Sequence, residues 1–156
     1  MRVEIFGLPE LEAGLAALAG RVQGRDMLND VGAALTENVR MSFVMGASPY
    51  GVKWLPLKFR RGDPLRDTDR LMNSITYRVA ADGVEVGTNV PYAGVHQFGY
   101  SVIKARFGSK QARRGARIPA RPFFPNAAQG LPVAWEREVT DIVARAIAAR
   151  IAGGGG

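Results

Sequence analysis

At 156 residues, with 47% hydrophobic residues and no cysteine, the chain is long enough for one domain with a real core, and disulfides, thiolate metal sites and cysteine nucleophiles are excluded. Its 21 Lys+Arg against 14 Asp+Glu give a net charge of +7, and one acid-free stretch carries that excess: Lys104, Arg106, Lys110, Arg113, Arg114, Arg117 and Arg121. The N-terminus lacks the apolar run of a signal peptide, and no stretch approaches the roughly 20 apolar residues of a membrane helix, so the expectation is a soluble protein folded in a cytoplasm with no membrane partner.

In chain order, Val3 and Ile5 suggest a short strand ended by Gly7. Pro9 suits the first turn of a helix, with Glu10 and Glu12 near its positive end and Leu11, Leu15, Leu18 and Val22 on one stripe. A second helix is predicted from about Asp26, with Leu28, Val31, Leu35, Val39 and Phe43 on one face, ending near Gly46 at an Ala47–Gly51 turn. Residues 47–66 read as irregular, either a loop pinned to the body by its aromatics or an arm that packs on a neighbouring subunit through Trp54.

Asp67 or Thr68 is a good N-cap for a short helix. Ile75, Tyr77 and Val79 then alternate with polar or small residues, and Val84 and Val86 do the same after Asp82-Gly83. This predicts a hairpin, with Asp82-Gly83 as a type I′ turn. The segment 89–99 reads as a capped helical turn. The stretch of about 100–118 reads as a mobile basic loop because Gly99, Ser101, Gly108, Ser109 and Gly115 interrupt it. Three prolines stiffen Ile118–Pro125 in an extended form. A last helix is predicted over Pro132–Ile151, about 30 Å long. Trp135, Val139, Ile142, Val143, Ala146 and Ile147 are to be buried in it, Asp141 and Arg145 to pair outside, and 153–156 to form a disordered Gly tail. The fold class is therefore α+β: a single domain over 1–152, with a small antiparallel sheet centred on a hairpin, packed by N-terminal helices and a C-terminal helix.

Little in the chain suggests catalysis. His96 is the only histidine, so a metal site of the common kind has too few ligands, and the ring is read as structural, hydrogen-bonded near the sheet. There is no Gly-x-Ser-x-Gly elbow and no phosphate loop, and capping accounts for Asp67 and Asp69. The expectation is no enzyme, no metal and no cofactor. A cytoplasmic nucleic-acid-binding protein is the alternative, with the 104–121 loop on phosphates. Against it, Phe107 is the loop's one aromatic, which offers no stacking platform.

Several motifs together resemble a known family. They are Leu65-Arg66-Asp67-Thr68-Asp69-Arg70-Leu71-Met72-Asn73-Ser74-Ile75, the Asp82-Gly83 hairpin, Val86-Gly87-Thr88-Asn89, Pro91-Tyr92-Ala93 with His96-Gln97-Phe98-Gly99, and Pro119-Ala120-Arg121-Pro122-Phe123-Phe124. In this order they resemble the virion morphogenesis (tail completion) family of tailed bacteriophages, in particular those of Mu-like phages, from about Trp54 to Pro125. The resemblance implies a structural protein of the virion neck that assembles as a ring, usually a hexamer, in the host cytoplasm. It would complete the tail, terminate it or join it to the head, against a connector, tail terminator or tail tube, without enzymatic activity or cofactor.

A ring needs one patch of each copy to meet a different patch on the next. Trp54, Phe123 and Phe124 are candidate anchors for that contact, with intrachain core as the other reading of the two Phe residues. Tyr92 and Phe98 read as core. The basic loop is placed against an acidic surface of an adjoining neck protein in preference to DNA in the channel, because a dense basic lining would hinder ejection.

Overall fold

The structure is a computed structural model that describes residues 2–3, 23–58, 61–80, 83–101 and 117–153. Its longest element, helix α1, is Gln23–Met45. Leu28, Val31, Leu35, Val39 and Phe43 are buried along it. Their mixed steps of three and four keep the stripe within a narrow arc, and each buried side chain contributes about 1.5–3 kcal/mol relative to exposure. The helix stops where predicted. Gly46 takes a φ of 60°, Ala47 N–H donates to Ser42 C=O (3.1 Å) and Gly46 N–H to Phe43 C=O (3.3 Å), which satisfies the last carbonyls in a Schellman arrangement.

The chain then doubles back. Ser48 N–H bonds Val52 C=O (2.8 Å) and Trp54 N–H bonds Gly46 C=O (2.9 Å), which returns Trp54 to the end of α1. Residues 54–69 form no helix or strand among those described.

Helix α2 is the short Arg70–Asn73. Its N-cap is Asp69, one or two residues later than expected. Asp69 is left-handed (φ 52°) and makes no side-chain cap bond, because its carboxylate is turned to Arg66 Nε (3.0 Å). The hairpin follows as β2 (Thr76–Val79) and β3 (Val84–Gly87). With β1 (Arg2–Val3) they form an antiparallel sheet in the order β1-β3-β2. Tyr77 faces Val86 and Val79 faces Val84 on the core side, while Arg78 faces Glu85 and ion-pairs with it. The turn differs from the expectation. Ala80 N–H bonds Gly83 C=O (2.8 Å), so Gly83 belongs to the closing pair of the ladder and has no left-handed φ.

Helix α3 is Ala93–Phe98, entered at Tyr92 without a side-chain cap. Strands β4 (Tyr100–Ser101) and β5 (Arg117–Ile118) form a second ladder, so the ends of the expected 100–118 loop are paired backbone. Helix α4, Val133–Gly153, closes the described chain. Gly153, expected in the tail, lies in this helix, and 154–156 fall outside the described residues. So do Ile5 of the first predicted strand, the predicted helix from Pro9, Phe59, and most of the predicted mobile loop.

Trp135, Val139 and Val143 of α4 are buried, with Ile142 and Ala146 partly so. Ile147 is 38% exposed, contrary to expectation. Steps of four overshoot the 3.6-residue turn by about 40° each, so a stripe begun at Trp135 has rotated outward by Ile147. Arg145 Nε bonds the carbonyl of Asp141 (3.2 Å) and not its carboxylate. The sheet lies against α1, and α4 packs along the same helix, bridged by Asn38 Nδ2 to Glu138 Oε2 (2.5 Å). The observed fold is thus α+β, as the element order implies.

Candidate functional site

The motifs of the resemblance meet in space. The irregular segment 119–125 runs beside α3, and one buried glutamine fastens it. Gln97 Oε1 accepts from the backbone N–H of Phe123 (2.9 Å) and of Phe124 (3.0 Å), and its Nε2 donates to Phe124 C=O (3.0 Å). Arg121 N–H adds a bond to His96 C=O (2.7 Å). A segment with three prolines cannot join a regular ladder, so a side chain supplies the partners its buried backbone needs.

This arrangement corrects three expected interface residues. Phe123 and Phe124 are 0% and 1% exposed, and Phe123 stacks on Phe43 of α1 at 5.0 Å. Trp54 is buried edge-on against Phe43 (5.7 Å) and donates Nε1–H to Pro122 C=O (2.9 Å). Their size and apolarity are spent on the chain's own core, which leaves no free surface for a neighbour to bury.

The basic residues divide. Arg117 is exposed on β5. Arg121, expected at a partner contact, is buried, and its Nε and Nη2 donate to Leu55 C=O at 3.1 and 3.0 Å. It fastens the irregular 54–58 segment, whose carbonyls have no sheet to pair with. Lys104, Arg106, Lys110, Arg113 and Arg114 lie outside the described residues. The ladder from which their segment departs, and to which it returns, is fixed by Gly99. A Cβ at Gly99 would lie 2.9 Å from Ala120 N and 3.0 Å from Ile118 O, and its φ is 74°. On either side of Gly99 stand Phe98, 72% exposed, and Tyr100, 53% exposed. Phe98 and Tyr92, expected in the core, are therefore on the surface.

Beside α3 lies an open cleft of about 380 Å³. Leu57, Leu65 and Leu71 give it apolar walls, and Arg70, Tyr92 and His96 are among its polar groups. The His96 ring meets Tyr92 edge-on at 5.7 Å. It is not hydrogen-bonded as expected, because Nδ1 is buried without a partner among the described residues. Burial, and secondarily the Arg121 guanidinium, push its pKa below the ordinary 6.5. The ring is thus mainly neutral at pH 7. Gln97 and the structural role of Arg121 escape sequence reasoning. The one signal for them is that His96-Gln97-Phe98-Gly99 and Pro119–Phe124 belong to the same set of motifs. Among the described residues no cluster of His, Cys, Asp and Glu could hold a metal ion, and no helix is long and apolar enough to cross a membrane.

Three comparisons with known proteins bear on this geometry. A family model described as the phage virion morphogenesis family matches residues 8–148. The chain is also similar to Mu-like prophage FluMu G protein 2 of Haemophilus influenzae, 38% identical over 125 residues, which cover 80% of this chain and 83% of that protein. No solved structure matches the chain significantly.

Proposed function

Since the chain belongs to the phage virion morphogenesis family, we propose that it is a structural subunit of the virion neck, which completes the tail, joins it to the head, or does both, as a ring of copies. The reading is carried by the extent of the match. Residues 8–148 take in α1, most of α4, the hairpin and the whole 91–125 unit. The protein acts through assembly and not through a reaction, and it works within the virion after being built in the host cytoplasm. Six copies is the expected number. Its neighbours are other virion proteins: a connector, a tail terminator or the tail tube.

Exposed apolar side chains support a surface built for assembly. Phe98, Tyr100, Val52, Leu55, Val44 and Met45 are all more than half exposed. The basic residues Lys104, Arg106, Lys110, Arg113, Arg114 and Arg117 meet an acidic face of an adjoining protein. Electron microscopy of lysates from a phage or prophage with this reading frame disrupted tests the role. Filled heads lying apart from tails, or tails of aberrant length, are expected, with whole particles restored when the protein is supplied in trans. Normal infectious particles would overturn it.

A second reading has one observation in its favour. Phe98 and Tyr100 stand exposed beside the start of the basic segment, where they would supply the stacking surface that sequence alone does not show. The protein would then bind nucleic acid, with an affinity that falls steeply with salt and is lost when Arg113, Arg114 and Arg117 are neutralised. Affinity unchanged by that replacement would remove this reading.

A further inference from the structure

The geometry points to the cleft beside α3 as a socket for an acidic side chain on an apolar stem, a Glu or Asp flanked by leucine-like residues, presented by a neighbouring protein of the particle. The inference rests on the assembly reading only for who supplies that segment.

Four observations converge on this chemistry. The first is the shape and lining, a cleft of about 380 Å³ with leucines from three separate stretches, Leu57, Leu65 and Leu71. That is room for one or two side chains of a peptide, not for a whole element. The second is charge. Arg70 lines the cleft, and its guanidinium has no hydrogen-bond or ion-pair partner among the described residues. The nearby Arg121 guanidinium, whose Nε and Nη2 donate to the Leu55 carbonyl, adds a positive charge beside the cleft. A planar fork with free donors matches a carboxylate in two-point geometry.

The third is His96, which also lines the cleft. Its Nδ1 is buried with no partner among the described residues, an unsatisfied polar atom at the cleft. Tyr92 and Thr68 hydroxyls lie in the same lining. Asp67, the one acid in the lining, already has an interaction partner. The fourth is the wall itself. Leu65, in the lining, is left-handed with φ of 64°, as is Asp69, which is not part of the lining, with φ of 52°; they are the two non-glycine residues of that kind among those described. A leucine in that region is strained, and such strain collects where a surface must hold a set shape for a ligand.

The single histidine makes the test direct, because the ring resonances of His96 report the cleft without assignment ambiguity. Purified full-length protein would be titrated with the capped peptide acetyl-Leu-Glu-Leu-amide and, separately, with its Gln counterpart, while the His96 ring signals are followed by NMR. The expected result is a saturable shift with the Glu peptide and at least tenfold weaker binding of the Gln peptide. Arg70→Gln, an exposed position whose fold is checked by circular dichroism, should weaken the Glu peptide at least tenfold. No saturable shift at millimolar peptide, equal binding of the two peptides, or Arg70→Gln binding like the unaltered protein would each overturn the proposal. Preferential displacement of the same signals by a thymidine oligonucleotide would also overturn it and assign the cleft to nucleic acid. Because these arms use isolated protein, their failure leaves the assembly reading standing, whereas normal particles after gene disruption would remove that reading alone.

Discussion

Gln97 satisfies three backbone groups with one amide, and no other side chain among the described residues duplicates any of those bonds. Removing it strands two buried N–H groups and a carbonyl next to Phe123 and Phe124, where water has little access. Gln97→Ala should therefore destabilise the fold by about 3 kcal/mol, and Gln97→Glu, which keeps both acceptances but buries a carboxylate and sets one of its oxygens against the Phe124 carbonyl, should cost more at pH 7. Urea denaturation of the two variants checks the order, and equal midpoints would mean that the amide is not the fastener. His96 gives a pH signature. Its folded pKa lies below 6.5 for reasons of burial first and the Arg121 charge second. The unfolded chain thus binds this proton more readily than the folded one, and stability is lost as pH falls through 6.5 and towards the folded value. Melts between pH 7.5 and 5 should show a smaller drop for His96→Gln than for the unaltered chain. Parallel curves would show that His96 does not contribute.

At the scale of elements, the contact between α1 and the hairpin is set by an absence of volume. Gly32 lies mid-helix, where glycine costs about 1 kcal/mol relative to alanine, yet a Cβ there would lie 2.2 Å from Cδ2 of Tyr77 on β2. Gly32→Ala should destabilise by about 1–3 kcal/mol in spite of its better helix propensity, and combining it with Tyr77→Ala should restore part of the propensity gain. Additive losses in that double-mutant cycle would deny the contact. The helix stripes of α1 and α4 and the two hairpin strands were legible because periodicity is a local property, and Gly46 announced its own stop. What was not legible depended on tertiary partners. Arg121 and Arg117 have the same local character, basic residues near the end of one acid-free stretch. Only the placement of Leu55 makes Arg121 a buried fastener. Phe123 and Phe124 likewise read equally well as core or contact until Phe43 and Gln97 are seen to meet them. Phe98 and Tyr92 erred the other way, since aromatic type alone favours burial and says nothing of which face of a six-residue helix is turned out.

For the whole molecule, the consequence is that the net charge and the fold are carried by different basic residues. Arg121 sits among the carbonyls that tie residues 54–58 to the core, so Arg121→Gln should cost about 2 kcal/mol and lower the thermal midpoint by several degrees. Replacement of Arg113, Arg114 and Arg117 by Gln removes nearly half of the +7, and it should leave that midpoint within a degree or two. The same triple variant should fail to restore whole particles when supplied in trans to a disrupted phage, while Gln97→Glu, if it stays folded at the growth temperature, should restore them. Surface charge would then serve assembly while the Gln97–Phe123–Phe124 unit serves only the fold. If the triple variant melted early, its arginines would belong to the folded body. If it melted normally and rescued fully, the charge would not serve the virion, and its concentration in one stretch would need another partner.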